Sequence, residues 1–228
     1  MPRKFVLGLL TAIHLRFGQP SANQLKQIVR RYFYAINIDS TVESVASSCD
    51  LCNSLKFVPE GLVLQSTSEP PTAVGKSFAF DVLKREQQLI AILRETVSSF
   101  SATTFVKSES HADLRDSLIV LSAELKGLAA EIRVDPAPGL ACLRSDQVLK
   151  EHGIVLDIGR EKNLNKNPVA ERAVQELGQE LLKVQPEKGP VSQVSLSLAT
   201  ACLNSRVRRD GLSSRELCVG YSYLLSSL

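Results

Sequence analysis

Between Ser77 and Val106 the sequence places three apolar, strand-like runs, 77–83, 89–96 and 102–106, separated only by turn-length polar stretches. Gaps that short join neighbouring antiparallel strands, so a three-stranded meander is expected. An amphipathic segment follows at 111–125, where Leu114, Leu118 and Leu121 recur on one helical face. A short strand at 130–134, a helix at 140–152, a second short strand at 154–158 and helices from Pro168 onward complete the pattern. A meander, then strand–helix–strand, then helices, predicts an α/β fold: a mixed five-stranded sheet flanked by helices. With 44% hydrophobic content, a chain of 228 residues can bury one such core and a small satellite unit.

The satellite lies ahead of the sheet. QSTSEPPTAVG at 65–75 reads as a linker, with two prolines among small polar residues. It divides the chain into a helical unit at 1–60, a linker at 61–74 and a sheet domain at 75–228. In the first unit Ser21 can cap a helix whose apolar positions are Leu25, Ile28 and Val29. Tyr32, Phe33 and Tyr34 are expected to anchor its core. A second helix is expected from Ser40 through Val42 and Val45 to the region of Cys49. So small a unit calls for a staple, and a metal is the usual one. Cys49 and Cys52 have the spacing at which two thiolates grip one tetrahedral Zn²⁺. The same Cys-x-x-Cys can serve redox exchange, but the βαβ context of that chemistry is missing.

The five cysteines form an odd set, so no disulfide framework is expected, and a reducing compartment, cytoplasm or nucleus, fits. Cys142, Cys202 and Cys218 are expected as packed thiols. The apolar run at 5–10 is short and lacks a cleavage site, so it does not read as a secretory signal. No apolar stretch is long enough to span a bilayer, and no membrane partner is expected. A net charge of +3, from 27 Lys and Arg against 24 Asp and Glu, is compatible with nucleic acid without selecting it. No P-loop, dinucleotide fingerprint or nucleophile elbow is present.

Three carboxylates stand in unusual places. Asp81 interrupts the apolar run Phe78-Ala79-Phe80-Asp81-Val82-Leu83, where an acid is costly to bury unless it is paired or bound to a metal; a solvent-facing position on an edge strand is the alternative. Asp135 emerges where Pro136, Pro138 and Gly139 end a strand, a setting that also suits an ordinary turn. Glu171 lies in a helix opened by Asn167 as cap and Pro168 at its first position. It flanks the stripe Ala170, Val174, Leu177 and Leu181, while Glu176 and Glu180 are expected to face solvent. Fifty-three residues separate Asp81 from Asp135, and thirty-five separate Asp135 from Glu171. Acids at two strand ends and on a following helix can converge at one rim, and hard oxygen donors grouped so suit Mg²⁺ or Mn²⁺.

At this point the chain resembles the integrases of LTR retrotransposons and retroviruses, which are ribonuclease H-like polynucleotidyl transferases. Asp81, Asp135 and Glu171 fall on that family's pattern of Asp, Asp, then Glu after thirty-five residues. Asn167-Pro168-Val169-Ala170-Glu171-Arg172 is similar to its segment around the last acid. Leu203-Asn204-Ser205-Arg206 and Gly211-Leu212-Ser213-Ser214-Arg215-Glu216-Leu217 look like its late signature, with Ser214 where proline is usual. The resemblance implies a ribonuclease H-like core preceded by a small helical zinc-binding domain. His14, Cys49 and Cys52 match three of the expected zinc ligands, and Gln19 stands at the position of the second histidine.

It further implies two Mg²⁺ or Mn²⁺ ions held by the three acids, double-stranded DNA (element ends and target) as partner, and work as a homo-oligomer. Arg160, Lys162 and Lys166 are expected beside the site as contacts for DNA phosphates, with a solvated loop as the alternative. Lysines that follow the glutamate in retroviral relatives are replaced by Gln175 and Gly178. The family's C-terminal DNA-binding domain has no counterpart, so the chain is expected to be a piece of a polyprotein. The activity implied is DNA 3′-end processing and strand transfer. A catalytically silent, integrase-derived binding or interaction module is the second reading.

Overall fold

The computed structural model describes residues 3–33, 38–54, 73–125, 130–159, 167–187, 189–208 and 211–225. The N-terminal part contains α1 (Arg3–Arg16), α2 (Ala22–Tyr32), α3 (Ile38–Ser47) and the short α4 (Asp50–Ser54). A capping box starts α2: Ser21 Oγ accepts from the Gln24 amide, and the Gln24 side chain accepts from the Ser21 amide. Leu10, Leu25, Val29, Val42 and Val45 pack together from three helices and form the core of this part. The aromatic cluster does not anchor it. Tyr32 and Phe33 are exposed, because they fall past the buried stripe of α2 at its C-terminal end, and Tyr34 lies outside the described residues. The run at 5–10 belongs to α1, where Leu10 is fully buried.

The sheet domain contains β1 (Ser77–Arg85), β2 (Gln88–Glu95), β3 (Ser101–Val106), α5 (His111–Glu124), β4 (Ala130–Val134), α6 (Pro138–Ala141), a 3₁₀ turn (Cys142–Ser145), α7 (Gln147–Glu151), β5 (Ile154–Ile158), α8 (Pro168–Val184), α9 (Gln193–Ser205) and α10 (Ser214–Leu225). Strand order is β3-β2-β1-β4-β5. The meander β1–β2–β3 is antiparallel, and β4 and β5 join it in parallel. Alternation on β2 serves both faces of the sheet. Ala91 and Leu93 pack with Leu114, Leu118 and Leu121 of α5, whereas Ile90 and Ile92 pack with Leu177 and Leu181 of α8 and Leu196, Ala199 and Leu203 of α9. Leu177 is fully buried, so truncating it to Ala costs about 2–5 kcal/mol.

The single helix expected at 140–152 is broken into α6, the 3₁₀ turn and α7. Asp146 causes the restart, since its carboxylate caps α7 by accepting from the Leu149 amide at 3.0 Å. The turn leaves Cys142 exposed instead of packed, while Cys202 and Cys218 are half-buried. Residues 55–72, with most of the expected linker, lie outside the described residues. The N-terminal helices sit on the far end of α8 and on α9–α10. Lys183 Nζ donates to the Gly18 carbonyl at 2.9 Å, Gln24 Nε2 donates to the Val207 carbonyl at 3.0 Å, and Arg31 pairs with Glu216 at 2.9 Å.

Candidate active site

The two aspartates reach the same level of the sheet by register. Ala79 of β1 pairs with Arg133 of β4, so Asp81 and Asp135 each lie two residues further along adjacent parallel strands, Asp81 within β1 and Asp135 just past the end of β4. Glu171 occupies the first turn of α8, where the helix N-terminus favours a carboxylate. Asp81 and Asp135 are half-buried and Glu171 is exposed, which leaves the group open on one side. Burial pushes the Asp81 carboxyl above its usual range, the Val82 amide opposes this with a 2.7 Å hydrogen bond, and the charges of Asp135 and Glu171 raise it further. Three acids from three elements therefore act on one another. Among the described residues only His14, Cys49 and Cys52 bring their donor atoms within 4.8 Å of one another, so the three acids stand further apart, and a divalent cation would draw them in by relieving their repulsion.

One side chain touches all three acid-bearing elements. Asn167 is 2% exposed. Its Nδ2 donates to the Phe80 carbonyl at 3.3 Å and to the Arg133 carbonyl at 3.0 Å. Its Oδ1 accepts from the Ala170 amide at 3.4 Å, which caps α8. The sequence shows the cap; the reach to two strand ends becomes visible only when β1 and β4 lie side by side.

Glu176 and Glu180 face inward, contrary to expectation. Arg94 of β2, buried like its apolar neighbours, points a guanidinium at α8 and pairs with Glu176 at 2.7 Å. Arg208 grips the same carboxylate with contacts of 3.0 and 2.7 Å. Burial alone would raise the Glu176 carboxyl, but the Arg208 hydrogen bonds and the charges of Arg94, Arg208 and Arg206 hold it at about 2. Glu180 is buried against Arg206 and accepts from Lys183 at 3.0 Å. The signal for this network was the lone arginine ending Leu89-Ile90-Ala91-Ile92-Leu93-Arg94.

In the N-terminal part, His14 closes α1 while Cys49 and Cys52 lie at the start of α4. Donor atoms of these three residues fall within 4.8 Å of one another, and His14 Nε2 is 3.4 Å from Cys52 Sγ. A tetrahedral zinc ion with bonds of about 2.0–2.3 Å needs donors at roughly this separation, so the residues fit. Burial, followed by the Lys183 charge, pushes the His14 imidazole below its usual range and favours the neutral form that binds metals. Among the described residues no further His, Cys, Asp or Glu joins the cluster. Gln19 contributes its carbonyl, 3.9 Å from Cys52 Sγ, from a left-handed backbone at φ 59°. Arg160, Lys162 and Lys166 lie outside the described residues.

A mixed five-stranded sheet with flanking helices, preceded by a helical part that holds the His14, Cys49 and Cys52 group, is a ribonuclease H-like architecture. Residues 20–53 match the H2C2 zinc finger family model, a span that holds Cys49 and Cys52 and leaves His14 just ahead of it. The catalytic core domain of BIV integrase is similar in structure, with TM-score 0.55 and 21% identity over 66% of this chain and 97% of that one. A chain of the simian T-cell lymphotropic virus intasome, in complex with PP2A regulatory subunit B56 gamma, gives TM-score 0.60 and 17% identity over 92% of this chain and 74% of that one. No curated protein matches the sequence. The fold is that of retroviral integrase cores, and residues 20–53 ahead of it are similar to an H2C2 zinc finger.

Proposed function

We propose that the chain is a retrotransposon-type integrase fragment that processes DNA 3′ ends and joins them to target DNA by transesterification. The observation that carries this reading is the register that sets Asp81 and Asp135 level on adjacent parallel strands, with the start of α8, which bears Glu171, tied to both strands through Asn167. Asp81, Asp135 and Glu171 would hold two Mg²⁺ or Mn²⁺ ions, which when bound supply Lewis acidity to the attacking oxygen and charge relief at the phosphate. By the resemblance, Asp81 would be the carboxylate shared by both ions, with Asp135 and Glu171 each holding one. No protein nucleophile is required, which agrees with an acid-only site. Arg160, Lys162 and Lys166 would meet phosphates next to Glu171.

His14, Cys49 and Cys52 would hold a structural zinc ion that staples the N-terminal helices. The similar chain comes from an intasome, and by analogy this protein would work on double-stranded DNA as a homo-oligomer; nucleus and cytoplasm are the compartments that fit this reading. The test is strand transfer on labelled duplex ends with Mn²⁺, comparing the native chain with Glu171→Gln. Joining that disappears in the variant supports the reading. A native chain that neither nicks nor joins, yet binds DNA, supports a silent binding module instead, the reading that Gln19 at the second histidine position favours.

A further inference from the structure

We propose that Asn167 is the positioning residue that holds the three acids in one constellation, an inference that rests on the metal-site reading above. An amide offers two N–H donors and a carbonyl acceptor. Asn167 gives one donor bond to the residue before Asp81, one to the residue two before Asp135, and accepts from the residue before Glu171. The β1–β4 pairing ends at Ala79 and Arg133, so the Asn167 amide bridges the strands where their own ladder stops. Nearly complete burial strengthens these bonds and makes them costly to break, because each would leave a polar group without a water to replace its partner.

The residue type follows from these contacts. Serine, threonine or aspartate at this position would cap α8 equally well, but none carries two donors. Glutamine has them on a longer stem that does not suit the cap. Pro168, with its fixed φ, sets the helix start against this anchor. Asn167 touches no reacting atom; it acts through the backbone that carries Asp81, Asp135 and Glu171.

The experiment separates the cap from the bridge. In the full chain, Asn167→Ser retains an acceptor for the Ala170 amide and loses the paired donors. Mn²⁺ affinity is read by electron paramagnetic resonance for the native chain, Asn167→Ser and Glu171→Gln, with thermal melts alongside. Outer-shell partners of metal ligands are worth roughly 10–100-fold in affinity, and a loss of that size is expected for Asn167→Ser. The native chain is also expected to show both Asn167 side-chain amide protons protected from exchange, a readout that needs no variant to fold. Native-like Mn²⁺ affinity in Asn167→Ser, or fast exchange of those protons, overturns the proposal and leaves the metal site standing. A native chain whose Mn²⁺ binding is absent or indifferent to Glu171→Gln overturns the metal-site reading and the proposal with it.

Discussion

Glu176 shows how far one carboxylate can be committed to the fold. It neutralises Arg94, which is 2% exposed, and it is gripped by Arg208 as well. Removing one partner of a buried ion pair costs about 3–5 kcal/mol, because the other charge is left stranded. Glu176→Ala is therefore expected to lose about 3 kcal/mol in a denaturant melt, far more than a solvent-facing glutamate would. The pH dependence has a definite sign. The folded carboxyl sits at about 2, below the ordinary value of 4.5, so its stabilisation is complete above the ordinary value and is lost as pH falls toward about 2. Melts between those limits should show a steep loss of stability that is shallower in Glu176→Gln. Helical periodicity could not reveal this pairing. It predicts which residues flank the apolar stripe of α8, but the partner Arg94 is distant in sequence and its direction depends on the sheet.

Elements whose patterns repeat were legible, and those shaped by single contacts were not. Short apolar runs between turn-like stretches marked all five strands, and Leu114, Leu118 and Leu121 at helical spacing marked α5, where period and burial agree. The broken stretch after β4 depends on one capping carboxylate and one close approach. At Gly139 an added Cβ would lie 2.4 Å from the Glu109 carbonyl oxygen and 2.9 Å from Leu114 Cδ1. Backbone cannot yield as a side-chain tip can, so Gly139→Ala should force α6 away from α5, at a cost of about 1–3 kcal/mol by overpacking. Because Asp135 opens the same loop, the variant should also weaken Mn²⁺ binding, which titration of the folded fraction would measure. Of the candidate site, the three acids and the cap at Asn167 were readable from spacing and residue type, whereas the bridge across β1 and β4 required the register.

At the scale of the molecule, the two halves meet through a few polar contacts and the loop Gly18-Gln19-Pro20. That loop lies between His14 and the capping box of α2, so the donor set that would bind zinc and the docking surface share one backbone. Gln19→His would add a second imidazole beside that of His14 as a fourth donor, and a tighter zinc complex is expected, by roughly tenfold or more in a competitive chelator titration. Unchanged affinity would mean that the left-handed turn aims this side chain elsewhere.

α8 has seventeen residues and spans about 25 Å, with Glu171 in its first turn and Lys183 against the Gly18 loop in its last. The helix joins the two candidate ion sites, so a shift of α8 on loading one end would be felt at the other. Whatever factor the loading of one end imposes on affinity at the other must be returned in equal measure. A chain read as two independent ion sites would then behave as a single balance with two pans.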